Sequence, residues 1–143
     1  MWPFKDRKQT AKELPLTDNE RKHLEQTQRE KNAAQALGRH YVDWVETVKE
    51  LKRQGKLEDA EKMLLACVDA TERESAITNY GVAPWYYEQL AIIYRKQNRL
   101  AAEVAILERF MKQKHGQSAK LDGMADRLVK ASELWSKQKG TQK

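Results

Sequence analysis

The stretch "GVAPWYYEQLAIIYRKQNRLAAEVAILERFM", residues 81–111, carries the clearest structural pattern in the chain. After Pro84, apolar residues recur at spacings of three and four: Tyr87, Leu90, Ala91 and Tyr94. A break around Asn98 precedes a second stripe with the same period: Val104, Leu107, Phe110 and Met111. This period is typical of one buried face of an α-helix. The stretch therefore predicts two amphipathic helices joined by a tight turn.

The composition of the whole chain also favours helices. The chain has 143 residues, which is the length of one ordinary domain. Only 6 glycines and 3 prolines are present, whereas 34% of the residues are charged and 40% are hydrophobic. Such a mixture is poor in turn formers and rich in good helix formers, so it favours an all-α fold. No segment has the alternating pattern that would predict a β-strand.

The first forty residues are expected to add little to a core. Residues 1–16 are predicted to be a flexible N-terminal tail. Thr17 followed by Glu20 forms a capping-box pattern, which marks the start of a helix. That helix, predicted over 17–39, has few apolar residues, so we expect it to be solvated and to need a partner for its weak apolar stripe.

The remaining helices are predicted to form one helical domain over residues 40–138. It would contain two helical hairpins, at about 41–74 and 84–115, and then a C-terminal helix at 118–138. Residues 139–143 are expected to be a frayed tail.

The two hairpins share one order of residues. The segment "YVDWVETVKELKRQGKLEDAEKMLLACV" (41–68) aligns without a gap on 84–111, a shift of 43 positions (84 − 41). The order large, small, large, turn, large, large recurs in the aligned pairs: Trp44 with Tyr87, Val48 with Ala91, Leu51 with Tyr94, Gly55 with Asn98, Leu57 with Leu100, and Leu64 with Leu107. The turn pair is predicted to adopt the left-handed backbone conformation, which glycine and asparagine tolerate best.

This order resembles the tetratricopeptide repeat, a helical hairpin that stacks into an α-solenoid. In that family a small residue, here Ala91, lets the second helix approach, and an aromatic residue, here Tyr94, seals the hairpin. Ala60 is the small residue expected in the second helix of the first copy, whereas the second copy has Glu103 there. Both copies lack the closing proline. The resemblance covers about half of the chain, and it implies that the C-terminal helix caps the array.

The sequence carries no pattern typical of catalysis or cofactor binding. The sequence has no GxGxxG, no P-loop and no HExxH motif. His23, His40 and His115 share no metal-ligand spacing with one another or with Cys67. We therefore expect a protein that is not an enzyme, with no catalytic residues, no metal and no cofactor.

The sequence also bears on location. The longest apolar run, residues 63–68, is far shorter than the roughly 20 residues that a membrane-spanning helix needs. The single cysteine cannot form an internal disulfide. A cytoplasmic protein without stable membrane insertion is the expectation.

The resemblance implies a binding groove lined by the first helix of each hairpin. Carried over position by position, the groove residues are Val42, Val45, Lys49, Lys52 and Arg53 in the first copy and Trp85, Glu88, Gln89, Ile92, Arg95 and Lys96 in the second. One end of this groove would be apolar and the other basic. It suits a partner peptide or helix with an apolar anchor and acidic residues. Self-association is a further expectation, because a second copy would complete an array of only two repeats.

The net charge of +6 keeps a second hypothesis open, a nucleic-acid-binding accessory protein. The same basic residues would then contact phosphates together with Arg99 and Lys112. A third interpretation is that the basic residues only solvate a helix face. The protein-interaction hypothesis is favoured, because the basic residues alternate with acidic ones and most aromatic residues belong to the packing pattern.

Overall fold

Helices make up almost all of the secondary structure in residues 14–117 and 120–141, the part of the chain that the computed structural model describes. Their bounds are α1 Asp18–Ala33, α2 Val45–Arg53, α3 Leu57–Thr78, α4 Pro84–Lys96, α5 Leu100–Met111 and α6 Leu121–Thr141. Helices α1, α2 and α4 pack on α3, α5 packs on α4, and α6 packs on α5. The prediction of an all-α fold is confirmed.

Local signals explain where several helices begin and end. The Thr17 hydroxyl accepts a hydrogen bond from the Glu20 N–H at 3.2 Å, and the Glu20 carboxylate accepts one from the Thr17 N–H at 2.8 Å. This is the predicted capping box at the start of α1. Pro84 lies in the first turn of α4, where its missing N–H leaves no helical hydrogen bond unmade. Gly55 and Asn98 have φ values of 74° and 56°, so both turns adopt the predicted left-handed conformation.

The segment after α1 departs from the prediction. The helix ends at Ala33 rather than at residue 39, and two short antiparallel strands follow, β1 Gln35–Ala36 and β2 Arg39–His40. The expectation that the chain has no strand is therefore wrong here. The predicted flexible tail at 1–16 lies mostly outside the described residues.

Side-chain hydrogen bonds from Arg73 and Trp44 hold the β1–β2 hairpin in place. Its turn contains Leu37 at a φ of 52°, a conformation that is unfavourable for leucine. Arg73 on α3 donates to the carbonyl oxygen of Gln35 at 2.7 Å. The indole N–H of Trp44 donates to the carbonyl oxygen of Ala36 at 2.6 Å. Arg73 is distant in sequence from the turn, so the local sequence pattern does not reveal its bond.

The core lies among α3, α4 and α5, where the buried side chains include most of those predicted from helical spacing. The fully buried residues include Val48, Ala60, Leu64, Cys67, Tyr87, Leu90, Ala91, Leu107 and Phe110. The rings of Tyr87 and Phe110 join α4 to α5, with centroids 5.2 Å apart. The aromatic residues Tyr87 and Tyr94 therefore serve packing rather than an open pocket.

The last helix begins and ends later than predicted. Helix α6 begins at Leu121 rather than at residue 118, and it ends at Thr141, so the predicted frayed tail starts inside the helix. Residues 118–119 and 142–143 lie outside the described residues. Met124 and Ala131 are buried where α6 packs against α5.

The loop before α4 is bonded to the segment after α5. The Val82 N–H donates to the carbonyl oxygen of Lys114 at 3.0 Å. Gly81 has a φ of 101°, and a Cβ atom at this position would lie 2.5 Å from the backbone nitrogen of Gly116. Both the conformation and the close approach require glycine at position 81.

Candidate functional site

The candidate site lies at the C-terminal ends of α2 and α4. Lys52 on α2 donates a hydrogen bond to the side-chain oxygen of Gln89 on α4. Four cations, Lys49, Lys52, Arg53 and Lys96, line an open cleft of about 530 Å³, which we call the basic cleft. The last turns of both helices carry basic residues, where the helix dipole favours positive charge.

Two of these cations are paired within their own helix. Lys49 lies 3.3 Å from Glu46, and Arg53 lies 3.1 Å from Glu50. Both pairs are exposed and three residues apart, and such pairs contribute only a few tenths of a kcal/mol, about 0.2–0.5. A stronger anionic ligand would therefore displace them at little cost.

Lys52 is bonded differently. It is partly buried, and among the described residues its hydrogen-bond partner is the neutral Gln89 amide rather than a carboxylate. Desolvation lowers its pKa, the positive charge of Lys96 lowers that pKa further, and Glu88 acts in the opposite direction. The ammonium groups of Lys52 and Lys96 thus repel each other across the cleft.

Two arginines elsewhere in the described chain, Arg99 and Arg109, have close carboxylate partners. Arg99 lies 2.8 Å from Glu61, and its hydrogen bond is the main cause that lowers the pKa of that carboxyl. Arg109 lies 2.8 Å from both Asp69 and Glu72, and the bonds to Glu72 raise the pKa of its guanidinium. The basic cleft contrasts with these ion pairs, because no described carboxylate lies within 4.0 Å of the Lys52 or Lys96 ammonium group.

The predicted apolar end of the groove lies one turn before the basic cleft. Val45 precedes Lys49 by four residues, and Ile92 precedes Lys96 by four, so each apolar residue shares a helix face with a cation. Both apolar side chains are partly buried. They can form an apolar contact surface beside the cleft.

The other two residues of the apolar end differ in exposure. Val42 is 57% exposed and belongs to the 3-10 turn Tyr41–Trp44 that precedes α2. Trp85 is partly buried, packs on the edge of the core, and meets the Tyr86 ring edge-on with centroids 5.1 Å apart. Replacing Trp85 would therefore disturb packing as well as the groove.

Arg95, predicted for the basic end of the groove, forms an ion pair with a buried carboxylate. Its Nε donates to Glu103 Oε1 at 2.6 Å, and the Glu103 side chain is fully buried. Arg127 on α6 lies 3.9 Å from the other carboxylate oxygen of Glu103. Arg95 thus helps to join α4, α5 and α6. One feature of the sequence pointed to this ion pair: the acidic Glu103 stands where the repeat expects a small residue.

Glu88 lies at the edge of the site. It is partly buried, and its carboxylate is 4.0 Å from the Nζ of Lys120, which precedes α6. The segment leading into α6 therefore contributes a cation near the groove, a neighbour that the repeat alignment did not predict.

The geometry offers little for other chemistry. In the described part of the chain, no group of three or more His, Cys, Asp or Glu side chains is arranged to hold a metal ion. Burial raises the pKa of the Cys67 thiol to about 11, so the thiol stays protonated near neutral pH. Among the described helices, none is both long and apolar enough to span a bilayer.

Comparisons with family models, curated proteins and solved structures give no match.

Proposed function

We propose that this protein is a cytoplasmic, non-enzymatic interaction module that binds a segment of a partner protein in the groove between α2 and α4. The observation that carries the proposal is the basic cleft, where Lys52 and Lys96 lack a carboxylate partner among the described residues. An acidic side chain of the partner would supply the missing negative charge. An apolar side chain beside it would contact Val45 and Ile92.

The proposal includes a tetratricopeptide-like stacking of the two hairpins, with α6 as the capping helix. Support comes from aligned positions that have the same environment in both copies. Val48 and Ala91 are both fully buried, and Gly55 and Asn98 are both left-handed. In such an array the first helices of successive hairpins line one face. The hydrogen bond from Lys52 joins those two helices, α2 and α4.

The acidic residues around the cleft favour a protein partner over a nucleic acid. Glu46 and Glu50 lie on α2 beside the cations, and Glu88 lies on α4. A nucleic-acid strand carries one charge per phosphate along its whole length, so it would meet these carboxylates as well as the lysines. A protein segment can place a single acidic group in the cleft and avoid that repulsion.

The test is affinity capture from the native cell extract with matched charge variants. The double variant Lys52→Gln, Lys96→Gln removes two charges from the cleft. The control Lys62→Gln, Lys130→Gln removes two exposed charges elsewhere and has the same net charge. Circular dichroism would first verify that both variants are folded. Arg95 is unsuitable for this test, because its replacement would leave the buried Glu103 without its closest cation.

We expect a protein that is captured by the wild type and the control, lost with the cleft variant, and unaffected by nuclease. The captured protein would then be purified and its affinity measured directly. The wild type and the control should bind it with similar affinity, and the cleft variant should bind it more weakly. Capture that the cleft variant retains would contradict the proposal. Disappearance of the captured protein after nuclease treatment would instead assign the basic surface to nucleic acid.

A further inference from the structure

The charge balance of the basic cleft indicates what kind of anion it binds. Lys52 and Lys96 come from different helices, line one cleft, and have no carboxylate partner among the described residues. Glu88 attracts Lys52 but forms its ion pair, of 4.0 Å, with Lys120. One further carboxylate would therefore balance only one of the two lysines. A phosphomonoester carries about −1.5 to −2 at neutral pH, so a single group would balance both.

The donors around the cleft suit a tetrahedral anion. A lysine ammonium has three rotatable donors and binds phosphate as a point charge. The Arg53 guanidinium can donate to two oxygens at once. Gln89 holds the Lys52 ammonium between α2 and α4, so this donor is positioned before a ligand arrives. Among the described residues, Arg53 is engaged only by the exposed pair with Glu50, which a phosphoryl group would readily replace.

We infer that the basic cleft binds a phosphorylated side chain of the partner protein. This inference rests on the proposed function and names the chemistry of the group that the site recognises. The flanking carboxylates Glu46, Glu50 and Glu88 allow one phosphoryl group and repel a continuous row of phosphates. The neighbouring Val45 and Ile92 provide apolar contacts for a residue next to the phosphorylated one, which a peptide supplies.

The test uses three immobilised peptide libraries that are identical except at the central residue. That residue is phosphoserine, serine or glutamate, and the flanking positions are degenerate. The purified full-length wild type, the Lys52→Gln, Lys96→Gln variant and the Lys62→Gln, Lys130→Gln control are each applied to all three. We expect the phosphoserine library to retain the wild type and the control about tenfold better than the other libraries, the size of one charge-assisted contact. The cleft variant should lose this preference.

The alternative outcomes separate the two proposals. Equal retention by the glutamate and phosphoserine libraries, lost in the cleft variant, would overturn the phosphoryl inference and leave the proposed function standing. Absence of retention by every library, or retention that the cleft variant shares, would overturn both. A short single-stranded oligonucleotide that displaces the protein from the phosphoserine library and binds it more tightly would also overturn the inference, in favour of nucleic acid.

Discussion

Arg95 on α4 and Glu103 on α5 form an ion pair of 2.6 Å in which the carboxylate is fully buried and the guanidinium is 31% exposed. Removing Arg95 and removing Glu103 therefore leave different charges without their partner. Without Glu103, Arg95 can turn toward water. Without Arg95, the buried carboxylate keeps the more distant Arg127 as its one neighbouring cation in the described part of the chain.

This asymmetry predicts unequal effects on stability. Arg95→Ala should lower the free energy of unfolding by about 3 kcal/mol, the lower end of the range for breaking a buried pair, because Arg127 remains. Glu103→Ala should cost about 1–2 kcal/mol, since it removes the hydrogen-bonded charge but leaves no buried charge unpaired. Urea unfolding measures both. The double variant should be no less stable than Arg95→Ala, and equal losses in the two single variants would contradict the asymmetry.

Replacing Gly81 and replacing Gly123 with alanine should change the stability of the protein in opposite directions. At Gly81, alanine would adopt a positive φ and its Cβ would meet the backbone of Gly116, so we expect a loss of about 1–3 kcal/mol or more. Gly123 lies in α6 with open space around its Cβ position. Alanine there should add about 0.5–1 kcal/mol through helix propensity. Thermal unfolding of the two variants shows whether each substitution stabilises or destabilises the protein. Stabilisation by Gly81→Ala would refute the close contact between Gly81 and Gly116.

Ala91 is predicted to have no room for a larger side chain. It is fully buried in α4, so Ala91→Leu should overpack the core and destabilise the protein by about 1–3 kcal/mol. The matched control is Ala101→Leu on α5, where the side chain is exposed and the change should stay within about 0.5 kcal/mol. An unchanged melting temperature for Ala91→Leu would count against both the packing and the repeat alignment.

Stability should fall in alkaline solution as the buried tyrosines lose their protons. Burial, and then the neighbouring Glu61, raises the pKa of Tyr94 to about 12. An unfolded tyrosine has a pKa of about 10, so above that pH the unfolded state releases the proton first. The contribution of Tyr94 is therefore fully present below about pH 10 and is lost as the pH rises to about 12.

The measurement is urea unfolding at several pH values across this window. Tyr94→Phe removes one ionising group, so its free energy of unfolding should fall less steeply with pH than that of the wild type. Equal slopes for the two proteins would show that the phenol of Tyr94 titrates alike in the folded and unfolded states.

Features set by neighbouring residues were predictable from the sequence. The Thr17–Glu20 capping box depends on residues three positions apart, and the left-handed turns at Gly55 and Asn98 depend on single residues that tolerate that conformation. The buried face of α4 follows from helical spacing alone. These signals do not require knowledge of how the helices pack.

Features set by distant residues were not predictable. The β1–β2 hairpin has a leucine at positive φ, and Arg73 holds it from a different helix. Sequence spacing therefore favoured a longer α1. The candidate site shows the same division. Lys52 and Lys96, which the repeat alignment places on the groove, line one cleft, whereas Arg95 pairs with a buried glutamate whose position depends on the packing of α5 and α6.

The position of α3 also has a consequence for how the molecule opens. Helix α3 has 22 residues, and α1, α2 and α4 all pack against it. Its central amide protons should therefore exchange with solvent only when the whole molecule unfolds. The side chains of residues 18–25, the first two turns of α1, are all exposed, so amides there should exchange rapidly through local fraying. Native-state hydrogen exchange is expected to reveal one cooperative unit centred on α3, with the start of α1 opening independently of it.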